Sequence, residues 1–195
     1  MDADNYSKPI FAIIIAVLVM SVGWLSYFYL GGGQVAFPNT IDDDTDTSTG
    51  DTTVPSTANM APDFSYTTVN GGTVSLSGLR GKVVILDFMA TWCQPCKNQI
   101  SNLKTIYSEY SGQGVEIVSL NVDLQASNQE LLKYRNEQGA SWDFVTDSDG
   151  VSMDPKYSVT SIPTIVIVNK DGSIAKRNVG LMSTDALRTA LEPLL

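Results

Sequence analysis

The sequence of 195 residues contains no histidine and only two cysteines. Histidine general bases, histidine metal ligands and histidine haem ligands are therefore excluded, and two cysteines alone cannot complete a monomeric zinc site, which needs about four ligands. Lysine and arginine are also scarce: there are 12 of them against 21 acidic residues, no basic run and a net charge of −9. Phosphate binding depends on clustered basic residues, so a nucleic-acid partner is excluded as well. We expect no metal and no cofactor.

The two cysteines stand three residues apart, in Trp92-Cys93-Gln94-Pro95-Cys96, directly after an apolar run at 83–89. Residues i and i+3 of a helix share one face, so the two sulfurs can close and reopen a disulfide within one turn. Unpaired amides and the helix dipole favour a thiolate at the first position. We predict that Cys93 is the nucleophile and Cys96 the resolving thiol. The alternative is an inert structural disulfide, although so short a loop would add little stability.

Residues 10–30 form an apolar stretch without charge, with aromatic residues crowded toward its end. At about 1.5 Å per residue this length spans the roughly 30 Å hydrocarbon layer of a bilayer. We predict a single transmembrane anchor at 10–30 and a short cytoplasmic tail at 1–9. Lys8 precedes the span and five aspartates follow it, which places the remaining chain outside the cytoplasm, in the periplasm or at the cell exterior. A cleavable signal peptide is the alternative, although its apolar region is usually only about 7 to 15 residues long.

The segment at 31–60 consists largely of Gly, Asp, Thr and Ser. It cannot bury enough apolar surface to offset the entropy of ordering, so we predict a flexible acidic linker. A glycosylated stalk is the alternative reading of its Thr and Ser content.

Hydrophobic periodicity predicts a folded α/β domain at 61–195, in which a mixed central sheet has helices on both faces. The hairpin at its start and a helix-strand unit at 127–145 would be additions to that sheet. Strands are predicted at 64–69, 73–76, 82–89, 115–122, 142–145, 165–168 and 174–179, and helices at 93–110, 127–137, 151–157 and 183–194.

Three features of the domain together resemble the thioredoxin superfamily: the buried strand that ends at Asp87-Phe88-Met89, the Cys-x-Pro-Cys at the next helix start, and Ile162-Pro163-Thr164 before a later strand. The resemblance covers about residues 61–195. The anchor, the Ala-Pro-Asp-Phe at 61–64 and the unit at 127–145 are similar to the TlpA/ResA branch. That branch consists of membrane-anchored thiol-disulfide oxidoreductases that act outside the cytoplasm.

The resemblance implies a thioredoxin-like fold and roles for further residues. Pro163 matches the cis-proline whose loop lies beside the disulfide and presents backbone groups to an extended substrate strand. Trp92 matches the aromatic residue that flanks the nucleophile, and Gln94, Pro95 and Ile162 are expected to border the substrate with it. For Pro163 the alternative is an ordinary proline at the start of a strand.

Two carboxylates are candidates for the group that takes the proton of Cys96. Asp87 matches the buried acid of thioredoxins, and a lone acid in an apolar strand is costly unless it is partnered or protonated. A raised pKa would let it act as a general base. TlpA/ResA-like proteins commonly carry their acid later, on the stretch at 121–124, where Asp123 is the sole carboxylate. The lysine that thioredoxins place near their buried acid is replaced by Ser119.

We expect a monomeric reductase of disulfides in exported proteins, recharged by a membrane thiol carrier. By resemblance its substrates include the haem-attachment cysteines of apocytochromes c. A disulfide-forming oxidase is one alternative, although strong oxidases usually carry a histidine where this chain has Gln94-Pro95. A thiol peroxidase is another, but its Pro-x-x-x-Thr-x-x-Cys frame is broken by Leu86 and Ala90. The third is a membrane-tethered client-binding or chaperone module in which the thiols are incidental.

Overall fold

The computed structural model describes residues 59–195. The tail and the anchor predicted at 1–9 and 10–30, and nearly all of the linker predicted at 31–60, lie outside the described residues. Within the part that is described, no helix is both long enough and apolar enough to cross a bilayer.

Ten strands and α-helices follow one another along the described chain, and their bounds lie within about three residues of the predicted ones except where noted below. The strands are β1 (Ser65–Thr67), β2 (Thr73–Ser75), β3 (Val83–Met89), β4 (Val115–Asn121), β5 (Asp143–Thr146), β6 (Thr164–Val168) and β7 (Ile174–Val179), and the α-helices are α1 (Gln94–Tyr110), α2 (Asn128–Gln138) and α3 (Thr184–Leu191).

The central sheet has the strand order β5-β4-β3-β6-β7. Strands β3, β4 and β5 are parallel, whereas β6 runs antiparallel to β3 and β7 antiparallel to β6. The predicted mixed sheet is therefore confirmed. Strands β1 and β2 form the predicted hairpin as a separate antiparallel pair. Every residue of β3 is buried, which is why that strand reads as a continuous apolar run.

The prediction of α-helices on both faces of the sheet is wrong. Buried side chains of α1, α2 and α3 all belong to one core cluster, represented by Ile100, Leu131 and Leu187. The opposite face packs against the β1–β2 hairpin and the irregular segment around Tyr157. The cause is topological: β3, β4 and β5 step across the sheet in one direction, and successive right-handed crossovers in one direction place both helices on the same side.

Local capping explains where α2 begins and ends. Ser127 Oγ accepts a hydrogen bond from the Glu130 amide, and the Glu130 carboxylate accepts one from the Ser127 amide. This is the capping box that the sequence predicts. Gly139 ends the helix in the left-handed conformation, at a φ of 64°, which a residue with a side chain adopts at a cost.

The helix predicted at 151–157 is shorter in the structure. Only Val151–Met153 forms a 3₁₀ turn, and the chain leaves it at Asp154 with a ψ of 132°. Pro155 explains this, because a proline lacks the amide hydrogen and disfavours the helical conformation of the residue before it.

The start of the domain is fastened to the turn between β6 and β7. Met60 forms a β-bridge with Ser173, and the Ala61 amide donates to the Gly172 carbonyl at 3.0 Å. The Gly81 amide, just before β3, donates to the Lys170 carbonyl of the same turn at 2.8 Å. This turn therefore lies at the end of the sheet where β3 begins.

Candidate active site

The two cysteines form a disulfide at the start of α1, beyond the end of β3. Cys93 is the N-cap residue, and its Sγ accepts a hydrogen bond from the Cys96 amide at 3.2 Å. That amide lies in the first turn of the helix and is shared with the Cys93 carbonyl, to which it also donates at 3.1 Å. The bond to Sγ would stabilise a thiolate at Cys93 once the disulfide is reduced, as predicted for the nucleophile. Cys96 is fully buried and Cys93 is 4% exposed.

Asp87 lies on the same face of the sheet as the thiols. Side chains alternate along β3, so Asp87 shares its face with Ile85 and Met89, which pack in one cluster with both cysteines. The carboxyl group is fully buried. Burial raises the pKa of Asp87 from 3.8 to about 7, against the opposing effect of a hydrogen bond from Ser119. A carboxyl group with that pKa can accept a proton and release it near neutral pH.

A short polar chain extends from Asp87 across the neighbouring strands. Ser119, paired with Asp87 in the β3–β4 register, donates from Oγ to Asp87 Oδ2 at 2.9 Å. Trp142 Nε1–H in turn donates to Ser119 Oγ at 2.9 Å. Ser119 therefore takes the place that the resemblance assigns to a lysine, and it holds the carboxyl group by a neutral bond instead of an ion pair.

Asp123 occupies a different setting, half-buried after β4. Its Oδ2 accepts a hydrogen bond from Trp92 Nε1–H at 2.9 Å, and its Oδ1 accepts one from the Gln125 amide at 3.0 Å. Both carboxylate oxygens thus have donors. The hydrogen bond to Asp123 thus fixes the orientation of the Trp92 indole, although Trp92 is 69% exposed.

The structure brings the remaining predicted site residues to the same edge of the sheet. The Ile162–Pro163 peptide bond is cis, as the resemblance implies. Ile162 packs against the cluster that contains both cysteines, and Pro163 is buried. Gln94 and Pro95 are exposed in the first turn of α1.

A groove of about 490 Å³ adjoins these residues. Trp92 and Ile162, which were predicted to border the substrate, line it, whereas its other lining residues were not predicted from the sequence. Two of its side chains, Leu124 and Met153, are 59% and 77% exposed. Exposed large apolar side chains that gather at one concave surface are typical of a binding site. Its apolar lining comprises Trp92, Val122, Leu124, Met153, Val159 and Ile162.

Sequence reasoning also missed Trp142 and Tyr134 as neighbours of Asp87. Both come from the helix-strand unit at 127–145, and both belong to the core cluster on the helical face. The sequence identified that unit as an addition but held no signal that its aromatic residues approach a carboxyl group more than 40 positions earlier.

Comparison with known proteins places the chain in a family. The sequence profile of the AhpC/TSA family matches residues 57–177. Thiol-disulfide oxidoreductase ResA of Bacillus subtilis is 35% identical over 123 residues, which cover 63% of this chain and 67% of that protein. The ResA of Geobacillus kaustophilus is 30% identical over 175 residues, 90% of this chain and 94% of that protein.

Solved structures agree with the sequence matches. The crystal structure of StoA from Bacillus subtilis superposes with a TM-score of 0.56 at 26% identity, covering 68% of this chain and 98% of StoA. The thiol-disulfide oxidoreductase of Bacteroides fragilis superposes with a TM-score of 0.60 at 25% identity, covering 70% and 99%. The chain belongs to the AhpC/TSA family and is a ResA-like thiol-disulfide oxidoreductase with a thioredoxin-like fold.

Proposed function

We propose that this protein is a membrane-tethered reductase of disulfides in exported proteins, acting as a monomer outside the cytoplasm. The observation that carries the proposal is the arrangement of Cys93, Cys96 and Asp87: a reversible disulfide at a helix N-terminus, with a buried carboxyl group on the same face of the sheet. The arrangement provides a nucleophile, a resolving thiol and a proton acceptor.

In the first step the Cys93 thiolate of the reduced protein attacks one sulfur of a client disulfide. A bond forms between Cys93 Sγ and that sulfur while the client S–S bond breaks, and the departing client sulfur leaves with the electron pair and takes a proton from solvent. The Cys96 amide, which donates to Cys93 Sγ, favours the attacking thiolate.

In the second step Cys96 loses its proton to the Asp87 carboxylate. The new thiolate attacks Cys93 Sγ, the Cys93–Cys96 bond forms, and the second client sulfur leaves as a thiolate. The client has gained two electrons and the protein has lost two. Because burial raises the pKa of Asp87 to about 7, the carboxylate form needed for this step is present in an appreciable fraction at neutral pH.

The groove beside the disulfide supplies a surface for the client. Trp92 and Ile162 line it next to the sulfurs, and Leu124 and Met153 extend it away from them. An extended segment that lies along the Pro163 loop would place side chains of one face into this apolar surface. The haem-attachment segments of apocytochromes c are the client class that the family resemblance implies.

The uncharged stretch at 10–30 supports the membrane tether, and the alignment with the Geobacillus kaustophilus relative covers 90% of this chain and so extends into the region before residue 59. Each turnover leaves the protein oxidised, so a reductase in an oxidising compartment needs a donor of electrons. A membrane thiol carrier is the donor that fits a tethered protein.

The test is to trap the client with the Cys96→Ser variant of the full chain in its native membrane. With small-molecule oxidants and disulfides excluded, the lone Cys93 thiol forms a mixed disulfide only with a client that arrives as a disulfide, since the variant has no disulfide of its own for a client thiol to attack. We expect a discrete adduct that is released by a reducing agent. The double variant Cys93→Ser/Cys96→Ser is the matched control.

Absence of an adduct, together with rapid oxidation of a dithiol peptide by the oxidised wild-type protein, would reverse the direction of electron flow. A client-binding module predicts something else: Cys93→Ser would keep the cellular role. A thiol peroxidase is disfavoured because its Pro-x-x-x-Thr-x-x-Cys motif is not present. Leu86 and Ala90, both apolar and fully buried, occupy the positions where that motif requires Pro and Thr.

A further inference from the structure

Two buried polar atoms on the helical face of the sheet have no hydrogen-bond partner within residues 59–195. They are Asp87 Oδ1 and the hydroxyl group of Tyr134. Asp87 is fully buried and Tyr134 is 6% exposed. Buried polar groups in folded proteins are nearly always paired, with protein or with ordered water, so two such atoms in one cluster require an explanation.

The two groups interact electrostatically. Burial and then the charge of Asp87 raise the pKa of Tyr134 to about 12. The aromatic side chains between them are continuous: the Tyr134 ring lies 6.5 Å from that of Phe144, which lies 6.1 Å from that of Trp142, and Trp142 donates to the serine that holds Asp87. Tyr134 of α2 therefore lies in the same buried cluster as Ile85 and Met89, which flank Asp87 on this face of β3, and the charge of Asp87 acts on it.

Tyr134 also borders solvent. It lines an open recess of about 450 Å³ between α2 and the chain that follows β4. The recess carries charged side chains of both signs. Its lining includes Thr91, Asp123, Glu130, Lys133 and Glu137.

We propose that one water molecule is bound between Asp87 Oδ1 and the Tyr134 hydroxyl, and that Tyr134 positions this water as the proton carrier between Asp87 and the recess. The inference rests on the proposed function of Asp87 as the proton acceptor for Cys96. A water that donates to Asp87 Oδ1 and accepts from the Tyr134 hydroxyl pairs both atoms at once. It has at least two polar partners, as a buried water requires.

The water answers a need of the catalytic cycle. After each turnover Asp87 carries the proton of Cys96, which either returns to Cys96 when the disulfide is reduced again or passes to solvent. The carboxyl group is fully buried, so the second route needs a carrier. Ser119 cannot complete the path, because its hydroxyl is already engaged with Asp87 and Trp142. The other side of the carboxyl group, toward Tyr134, is where the proton leaves: it passes to the water, and a proton of the water passes on to the recess as Tyr134 shifts. No bond between heavy atoms changes.

The pKa of Asp87 depends on the polar and titratable groups around it, which come from each element that packs on this face. They are the Ser119 hydroxyl from β4, the Trp142 indole before β5, Tyr134 from α2 and Cys96 from α1, which in the oxidised protein is in a disulfide and does not titrate. None of them carries a charge near neutral pH. A change in the pKa of Asp87 on altering Tyr134 therefore reports the loss of a hydrogen bond to the carboxylate.

The test compares the full chain in detergent micelles with its Tyr134→Phe variant, both in the oxidised state. The side-chain carboxyl ¹³C signal of Asp87, assigned by its loss in Asp87→Asn, is followed as a function of pH. We expect the midpoint to rise by about one pH unit in Tyr134→Phe, because a donor to the charged form is removed. The Tyr110→Phe variant, which deletes a hydroxyl from the same cluster at the far end of α1, should leave the midpoint unchanged.

A second readout uses the reduced protein. Resolution of a mixed disulfide at pH 6.5 should slow about five- to tenfold in Tyr134→Phe and should not slow further when that change is added to Asp87→Asn. An unchanged Asp87 midpoint with an unchanged or raised resistance to urea would overturn the inference, since the hydroxyl would then be an unpaired group that Phe removes without loss. The titration needs no client, so it stands or falls independently of the proposed reductase activity.

Discussion

The two faces of the central sheet are built from alternate residues of the same strands but are put to different uses. Along β3, Val84, Leu86 and Phe88 pack toward the hairpin, into a cluster of aliphatic and aromatic side chains. Asp87 points to the helical face, among side chains that include both cysteines. One strand therefore supplies stability on one side and chemistry on the other.

The difference shows on which face the fold tolerates the free-energy cost of a buried ionisable group. On the hairpin face the Phe88 and Tyr157 rings pack at 5.3 Å, and the Tyr157 hydroxyl donates to the Pro62 carbonyl at 2.6 Å. On the helical face the Asp87 carboxyl group is buried with one hydrogen bond, from Ser119. Its burial favours the neutral form and destabilises the folded state when the group ionises. The hairpin face must offset that cost, so changes on the two sides should separate stability from activity.

The largest effect is expected on the hairpin face. Phe88→Ala removes a fully buried ring, and the free energy of unfolding should fall by about 4 kcal/mol. Urea unfolding measures the loss, and the rate of thiol-disulfide exchange per folded molecule should be unchanged because Phe88 points away from the thiols. If the alanine variant does not fold, the milder Phe88→Leu allows stability and activity to be compared in the same way. A rate loss that exceeds the loss of folded protein would break the separation of the two faces.

The next effect is a pH dependence of stability that arises on the helical face alone. Burial raises the pKa of Asp87 from 3.8 to about 7, so below about pH 4 the folded and unfolded states are both protonated and the group contributes nothing. Between these values the unfolded state ionises first, so stability falls as the pH rises, and it levels off above pH 7. Relative to Asp87→Asn, the wild-type protein should lose about 3 to 4 kcal/mol between pH 4 and pH 8.

That difference is to be measured by urea unfolding of both proteins over the same pH range. Glu109, Glu130 and Asp171 have lowered pKa values and act with the opposite sign, but they are common to both proteins and cancel. Parallel stability curves would mean that Asp87 ionises as freely in the folded state as in the unfolded chain.

A third effect distinguishes the two carboxylates. Asp87→Asn should slow resolution of the mixed disulfide about 10²-fold at neutral pH, equivalent to about 2.7 kcal/mol, because Cys96 loses its proton acceptor. Asp123→Asn should cost only a few-fold, since its carboxylate is hydrogen-bonded to Trp92 and Gln125. Stopped-flow decay of a mixed disulfide with a small peptide measures both. The reverse order would assign the proton transfer to Asp123.

The smallest effect is expected at Trp92, which lines the groove beside the disulfide. Trp92→Phe keeps an aromatic ring beside Cys93 but removes the hydrogen bond to Asp123, so the KM for a disulfide-bonded peptide should rise about two- to threefold with little change in kcat. Met153→Ala, at the other end of the groove, is the matched change for a side chain without such a bond. Equal losses in kcat would place the indole in the chemical step rather than in binding.

Most of the sheet and the central part of the site could be predicted from the sequence. Strand β3 was recognised because a run buried on both faces is apolar throughout, and the cysteine pair because its spacing and position have a direct chemical meaning. Ser127 and Glu130 marked the start of α2 by their own local interaction. These features are local, so neighbouring residues carry the whole signal.

What escaped prediction depends on contacts between distant segments. The side of the sheet on which α2 packs follows from strand order, which periodicity does not report. Tyr134 and Trp142 reach Asp87 only because β5 pairs beside β4. The groove is formed by chain from after β4 and from around Met153, two segments that α2 and β5 separate in the sequence. An exposed Leu or Met has no meaning in sequence until its neighbours are known.

The β-bridge between Met60 and Ser173 determines how far from the disulfide the chain enters the domain. The turn that holds Met60 lies where β3 begins, whereas Cys93 follows the end of β3, and seven residues of strand extend over about 20 Å. The chain thus enters the domain at the pole opposite the sulfurs. The point at which the preceding chain is attached is therefore kept apart from the surface around the disulfide, where a protein thiol or disulfide must approach.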